Sequence, residues 1–451
     1  MNHVKKMAVV LAGCILLLLF VARAPGEKSN NDSSQTAGAS ATSANDQQIN
    51  NNMQAMFNQG RKIFRYDTFG DEAFWGNTLH LHQAIAGEHN GGVGPGVSPK
   101  TALSVGLKVD ADALPASLVA QIKAGKVNMD DPATTLALLQ LNSVVGVTGI
   151  FDKQGKLQSI GIQCAFCHST VDDSFAPGIG HRLDGWPNRD LNVGAIVSLA
   201  PNLQPVADLI GVDVPTVKKV LGSWGPGKYD AELDMDGKAF QPNGKSGATL
   251  LPPAFGMAGI SNGTYTGWGD VTYWNAFVAN TQMHGKGSFS EPRITAEQFP
   301  VGTRAHYNQV RNADDQITAK LGALQFYQFA IPAPKAPEGS YDKTQADQGK
   351  VLFSGKAKCA TCHVPDLYSE PGSSLHTPEE IGIDDFQSSR SPTKMYRTTP
   401  LRGLWSHQKG GFYHDGRFQT LNEVVVHYNE HFKLQLTDQE QKELVEFLKS
   451  L

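Results

Sequence analysis

Cysteine is scarce in this chain. Of 451 residues only five are cysteine. Cys14 lies in the N-terminal apolar run, and the other four form two pairs, Cys164 with Cys167 and Cys359 with Cys362. An excess of charge of one sign is also missing. The formal net charge of -4 marks neither nucleic acid nor an anionic membrane surface as the partner. Histidine is sparse at 14 residues, so each well-placed His is worth weighing as a ligand.

What the chain does have is a pentad used twice. Cys164-Ala165-Phe166-Cys167-His168 recurs as Cys359-Ala360-Thr361-Cys362-His363. C-x-x-C-H is the attachment signature of a c-type haem. Two thiols add across the haem vinyl groups as thioethers, and the adjacent imidazole supplies the proximal ligand to iron. The competing readings are a redox dithiol or a four-thiol zinc site. A His directly after each pair, twice, weighs against both. Two covalently attached c-type haems are therefore expected, with His168 and His363 as fifth ligands.

Around the pentads the chain reads in order. Lys5 and Lys6 precede an apolar run over 7–22, so residues 1–24 read as a leader, either a cleaved secretory signal or an uncleaved anchor. Leu11-Ala12-Gly13-Cys14 resembles a lipoprotein box but sits too early in the run. The body is expected in the periplasm, with the anchor, if kept, in the inner membrane. Residues 25–48 are rich in Ser, Asn, Ala, Gln and Thr and read as a disordered tether. Gln59-Gly60-Arg61-Lys62-Ile63-Phe64 returns as Gln348-Gly349-Lys350-Val351-Leu352-Phe353. This internal repeat resembles the opening helix of a cytochrome c domain. About a hundred residues separate Gly60 from Cys164, far beyond an ordinary loop, so the first copy carries a large insertion.

Within that insertion His80, His82 and His89 lack a Cys or acidic partner and read as polar surface or cleft lining. Residues 144–151 and 157–163 read as a β-hairpin that delivers the chain to Cys164. Residues 192–251 look irregular. In them Glu232-x-Asp234-x-Asp236-Gly237 resembles the start of an EF-hand loop, but Asn243 holds the twelfth place, so a solvated loop is the default. A Pro-rich linker over 331–340 separates an N-terminal haem domain, 49–330, from a C-terminal one, 341–451. Thr437-x-x-Glu440 opens a last helix with Leu444, Val445, Leu448 and Leu451 on one stripe. The fold class is mainly α, two cytochrome c-like domains with a hairpin in the insertion.

The sixth ligands decide the chemistry, because an open or labile site admits peroxide or oxygen. His181, in a Gly-rich loop, is the candidate at the first haem. At the second the candidates are His376, Met395, His414, His427 and Tyr428. Leu421, Val424, Val425, Tyr428 and Phe432 share one helical face, so Tyr428 points inward and His427 towards water.

At this point the chain resembles the bacterial dihaem cytochrome c peroxidase family, which includes the dihaem enzyme that matures methylamine dehydrogenase. Tyr396 to Gly403, Phe412 to Gly416 and the helix to Tyr428 carry the resemblance in the second half. Gly60 to Phe64, the first pentad, Ile179-Gly180-His181 and Trp268 with Asp270 carry it in the first. The resemblance implies a peroxide-reacting first haem with His181 as departing ligand, Tyr428 on the second haem, and Trp268 as electron bridge between them. It implies a small redox protein as donor, hydrogen peroxide as acceptor, a homodimer, and a Ca²⁺ near Asn188 or Asn192. The family's distal Gln and Glu fall on Val278 and Ser288 here; Asn275, Asn280, Gln282, His284 and Glu291 are the substitutes in reach. The alternatives are an electron carrier without peroxidase activity, and an oxidase or oxygenase of a protein or organic substrate.

Overall fold

The computed structural model describes residues 43–407 and 409–451. The leader and most of the tether lie outside these residues. The chain divides into two units, 1–49 and 50–451. Of the first, residues 43–49 are described: an exposed helical start in which the Asp46 amide donates to Ser43 Oγ at 3.0 Å. Helix therefore begins inside the stretch expected to be disordered, because Ser43 caps it.

The second unit is mainly helical, with small two-stranded sheets. Helix α1, Ala44–Tyr66, carries the first copy of the repeat. Helix α2 is Val271–Thr281 and α3 is Leu321–Ala330. Helix α4, Lys343–Ser354, carries the second copy. Helices α5, Leu421–His431, and α6, Asp438–Ser450, end the chain. The Thr437–Glu440 capping box forms as expected. Strands β1, Val147–Phe151, and β2, Leu157–Ile162, pair antiparallel; they are the expected hairpin.

The repeat has a packing cause. At Gly60 an added Cβ would stand 1.9 Å from the Ala323 carbonyl oxygen and 2.6 Å from the Tyr327 Cβ. At Gly349 it would stand 2.0 Å from the Glu443 oxygen and 2.9 Å from the Phe447 Cβ. Each glycine thus lets two helix backbones cross closer than a side chain allows: α1 on α3, and α4 on α6. Four residues on, Phe64 and Phe353 are fully buried in their crossings. Their rings meet Tyr327 at 5.5 Å and Phe447 at 5.1 Å. Gly349→Ala should lower stability by about 1–3 kcal/mol, the usual cost of overpacking. Guanidinium denaturation of the holoprotein checks this; an unmoved midpoint would mean that the crossing can open freely.

Residues 192–251 are not irregular. Helical segments run Val193–Val197, Gln204–Ile210 and Val214–Trp224. Asn192 and Asp213 cap two of them, and proline stands in the first turn of the latter two. The EF-hand-like stretch is also not a solvated loop. Asp230, Glu232 and Asp236 are buried. Arg390, brought in from the C-terminal segment, lies 2.9 Å from both Asp230 Oδ1 and Asp236 Oδ2.

Candidate haem centres

The pentad spacing is a helical spacing: residues i, i+3 and i+4 share one side of a turn. In the first pentad, Ala165–His168 is a short helix and the His168 amide donates to the Cys164 carbonyl at 3.2 Å. In the second, Cys359–Thr361 is a 3-10 turn and the His363 amide donates to the Cys359 carbonyl at 2.9 Å. Both imidazoles are then held from behind. His168 Nδ1 lies 3.1 Å from the Pro252 carbonyl, and His363 Nδ1 lies 3.1 Å from the Tyr368 carbonyl. A carbonyl only accepts, so Nδ1 carries the proton and Nε2 keeps its lone pair free. Burial pushes His168 down to about 4 and lowers His363 as well, so both rings are neutral.

Burial also pushes the Cys164 and Cys167 thiols up to about 12 and Cys359 to about 11. Among the described residues no cluster holds the four thiols together, so the zinc alternative has no geometric basis. Two thiols and a neutral His on one turn, twice, are the donor set a c-type haem needs.

The first pentad opens on a cavity of about 360 Å³. Cys164, Cys167 and His168 line it, with apolar walls from the insertion that include Leu81, Ile85 and Leu103. Trp274, Val278, Gln282 and Met283 line it from α2 and the turn after it. Gln282 Nε2 is buried there without a hydrogen-bond partner. None of the other candidate substitutes lines the cavity. Asn275 and Gln328 exchange amide hydrogen bonds at 2.7 and 3.1 Å, and Asn280 donates to the Ala276 carbonyl. His284 stacks on Phe74 at 3.6 Å, and Glu291 pairs with Arg293 at 2.5 Å. Gln282 is thus the candidate that reaches the cavity, and counting residues from Trp268 could not single it out.

His181 is not among the residues lining this cavity. Its ring is half exposed, with Nδ1 2.8 Å from Asp112. The loop is pinned rather than free to swing. The His181 amide donates to Asp172 Oδ1 at 2.8 Å, the Gly178 amide donates to Asp173 at 2.8 Å, and Ile179 pairs with Val109. A Cβ on Gly180 would meet Asp172 Oδ1 at 2.2 Å; this glycine serves close packing, not mobility. His80, His82 and His89 do not line the cavity either.

Trp268 is buried against Trp274 at 5.1 Å and Phe277 at 5.4 Å. The Gly267 beside it abuts Leu375 and Arg397. The ring itself lies in an aromatic cluster with Tyr273, Trp274, Phe277 and Phe299, of which Trp274 lines the first cavity.

Tyr428 lies beside the second pentad. Burial raises its phenol, Tyr413 works to lower it, and the Cys359 and Cys362 thiols raise it further. The rival ligands are less available. His376 has both ring nitrogens on carboxylates, Nε2 2.5 Å from Glu370 and Nδ1 2.8 Å from Glu380. Met395 is exposed. His414 stacks on Tyr396 at 5.3 Å, with Nε2 3.5 Å from Asp384. His427 departs from expectation: it is half-buried, its ring 5.0 Å from Phe418, because the hairpin turn before α5 folds back over that face. The calcium expectation finds no support. Asn188 Oδ1 accepts from the Asp190 amide at 3.3 Å and Asn192 Oδ1 from the Ala195 amide at 3.0 Å, so both oxygens serve local turns.

No family model matches the chain. The methylamine utilization protein MauG of Methylorubrum extorquens is 30% identical over 221 residues, 41% of this chain and 61% of that protein. The aligned part thus spans about three fifths of that relative's length. This match supports the resemblance to the MauG-like dihaem cytochrome c peroxidases. Among solved structures, hydrazine synthase of Kuenenia stuttgartiensis is similar over 49% of this chain and 86% of its own, at 16% identity and a TM-score of 0.29. A MauG-like protein associated with microbial copper homeostasis is similar over 49% and 80%, at 20% identity and a TM-score of 0.26. Scores this low add nothing to the sequence match.

Proposed function

We propose that this chain, a relative of the MauG-like dihaem cytochrome c peroxidases, is an exported dihaem oxidoreductase that reduces peroxide at its first pentad. The observation that carries the reading is Gln282: an unpartnered amide in the wall of the cavity that also holds Cys164, Cys167 and His168. A pure electron carrier has no use for a free hydrogen-bond donor there, whereas a site that binds a small polar oxidant does.

Cys164, Cys167 and His168 would hold one haem, and Cys359, Cys362 and His363 the other. Bound haem would supply the one-electron redox chemistry. The chain's own residues do the rest. The Pro252 and Tyr368 carbonyls keep the two imidazoles in the ligating tautomer. The apolar insertion walls exclude water. Gln282 donates to an oxygen of the substrate and orients it. Tyr428 is read as the oxygen donor at the second centre. Trp268 is read as the aromatic bridge by which electrons cross from the C-terminal centre, with a small redox protein as their source and hydrogen peroxide as acceptor. A periplasmic location accords with this chemistry.

Electron paramagnetic resonance of the holoprotein, oxidised and half-reduced, tests the proposal. A high-spin first centre, present at rest or appearing on partial reduction, is expected. Gln282→Leu should slow the reaction with peroxide by about 100-fold while leaving haem content unchanged. Two permanently low-spin centres, and a Gln282→Leu variant as reactive as wild type, would return the protein to the electron carriers.

A further inference from the structure

The first cavity has a second polar wall, and it comes from an unexpected place. Glu232, Gln387 and Tyr265, from outside the insertion, line it as well. Glu232 is 3% exposed, and its Oε2 has no hydrogen-bond partner. Gln387 Oε1 is likewise buried and unpartnered.

The residues behind Glu232 explain why its carboxyl should hold a proton. Arg390 is the guanidinium of this pocket, and its donors are already directed. Nη2 lies 2.9 Å from Asp230 Oδ1. Nε and Nη2 donate to the two oxygens of Asp236 at 2.9 and 3.0 Å, and Nη1 donates to the Gly247 carbonyl at 3.4 Å. Two carboxylates therefore already outweigh one cation before Glu232 is counted. A third buried negative charge at this place has no partner. The remaining groups that face Glu232 are the Gln387 amide and the Tyr396 phenol, and neither is a cation.

We propose that Glu232 is the proton-carrying acid of the first cavity, a carboxylic acid at rest that gives its proton to substrate oxygen and regains it from water. The proposal rests on the peroxide reading above. Reduction of one hydrogen peroxide to two waters takes two electrons, from the redox donor, and two protons; Glu232 passes protons inward. Burial, against the pull of Arg390 and with the push of Asp230 and Asp236, raises Glu232 to about 7, where a general acid works best at neutral pH.

The test reads a potential as well as a rate. Loss of the Glu232 proton adds a negative charge to the cavity wall and favours the oxidised centre. The first centre's midpoint potential in wild-type holoprotein should therefore fall as pH rises through about 7. Glu232→Gln should hold the potential at its acid-side value across that range and slow peroxide turnover at least tenfold. Asp234→Asn is the control. Asp234 is also raised to about 7 by burial and Asp230, but it does not line the cavity, so its variant should keep the wild-type slope. In Asp234→Asn holoprotein, one component of the protonated-carboxyl infrared absorption should be lost around pH 7. An unchanged slope in Glu232→Gln overturns the proposal. If that variant does not fold, absence of the infrared transition overturns it. A wild-type protein inert to peroxide would sink the functional reading alone, since the potential and infrared titrations still decide Glu232.

Discussion

Changing Cys164 and Cys167 together to alanine should leave a protein with one covalent haem in place of two. The expected count follows from the pentads: the four cysteines fall into two separate turns, each with its own locked imidazole. Neither turn can substitute for the other, because each thiol pair is tied to its own His by a backbone hydrogen bond within the turn. The loss should also be structural. The first cavity is walled by apolar side chains that would face one another across a space of about 360 Å³. A void of that size lined by Leu, Ile and Val costs several kcal/mol. The double variant should therefore melt earlier, and its N-terminal half should be cut first by protease. Haem per chain is measured by the pyridine spectrum, and covalency by a haem stain after denaturation. A wild-type ratio of one, or an unchanged ratio in the variant, would end the dihaem reading.

The pentads, the hairpin, the repeat and the final capping box could be read from the chain because each is a local pattern. Their physics is set within a dozen residues: a thiol pair and imidazole on one turn, alternating strands, a glycine four residues before a phenylalanine. What could not be read depends on distant partners. Glu232 and Asp236 look solvent-bound until Arg390, 154 positions from Asp236, is placed between the acids. His181 looks mobile in a Gly-rich loop until Asp172 and the Val109 strand fasten that loop. Gln282 differs from its neighbours Asn275 and Asn280 only in which way the end of α2 turns it. The face argument for α5 missed at Phe432, which is exposed, and at His427, which is half-buried like Tyr428, because a helical wheel cannot show what packs over each side.

Arg390→Leu should be among the most destabilising single changes in the protein, at about 3–5 kcal/mol near pH 8. Arg390 is fully buried and joins a C-terminal helix end to the 230–236 segment. Burial alone would lower its pKa, but Asp230 and Asp236 outweigh that and hold it charged. Without the guanidinium the acids keep the cost of burial and lose their counter-charge. The loss must then depend on pH, and its sign is fixed. Asp230 is raised to about 6 and Glu232 to about 7, chiefly by burial. A carboxyl raised in the folded state contributes stability while protonated and loses it as pH climbs through the folded value. Removing Arg390 raises Asp230 further, so the variant sheds stability as pH rises from about 5 to 8, faster than wild type does. At pH 5 Asp230 and Glu232 are largely neutral and the penalty should shrink. Adding Asp230→Asn and Asp236→Asn to Arg390→Leu should restore part of the stability at pH 8, because the two carboxylates that Arg390 pairs with are then gone. Chemical denaturation of the holoproteins at the two pH values measures this. Equal losses at pH 5 and pH 8, or no recovery in the triple variant, would mean that Arg390 acts through packing and not as the counter-ion of buried acids.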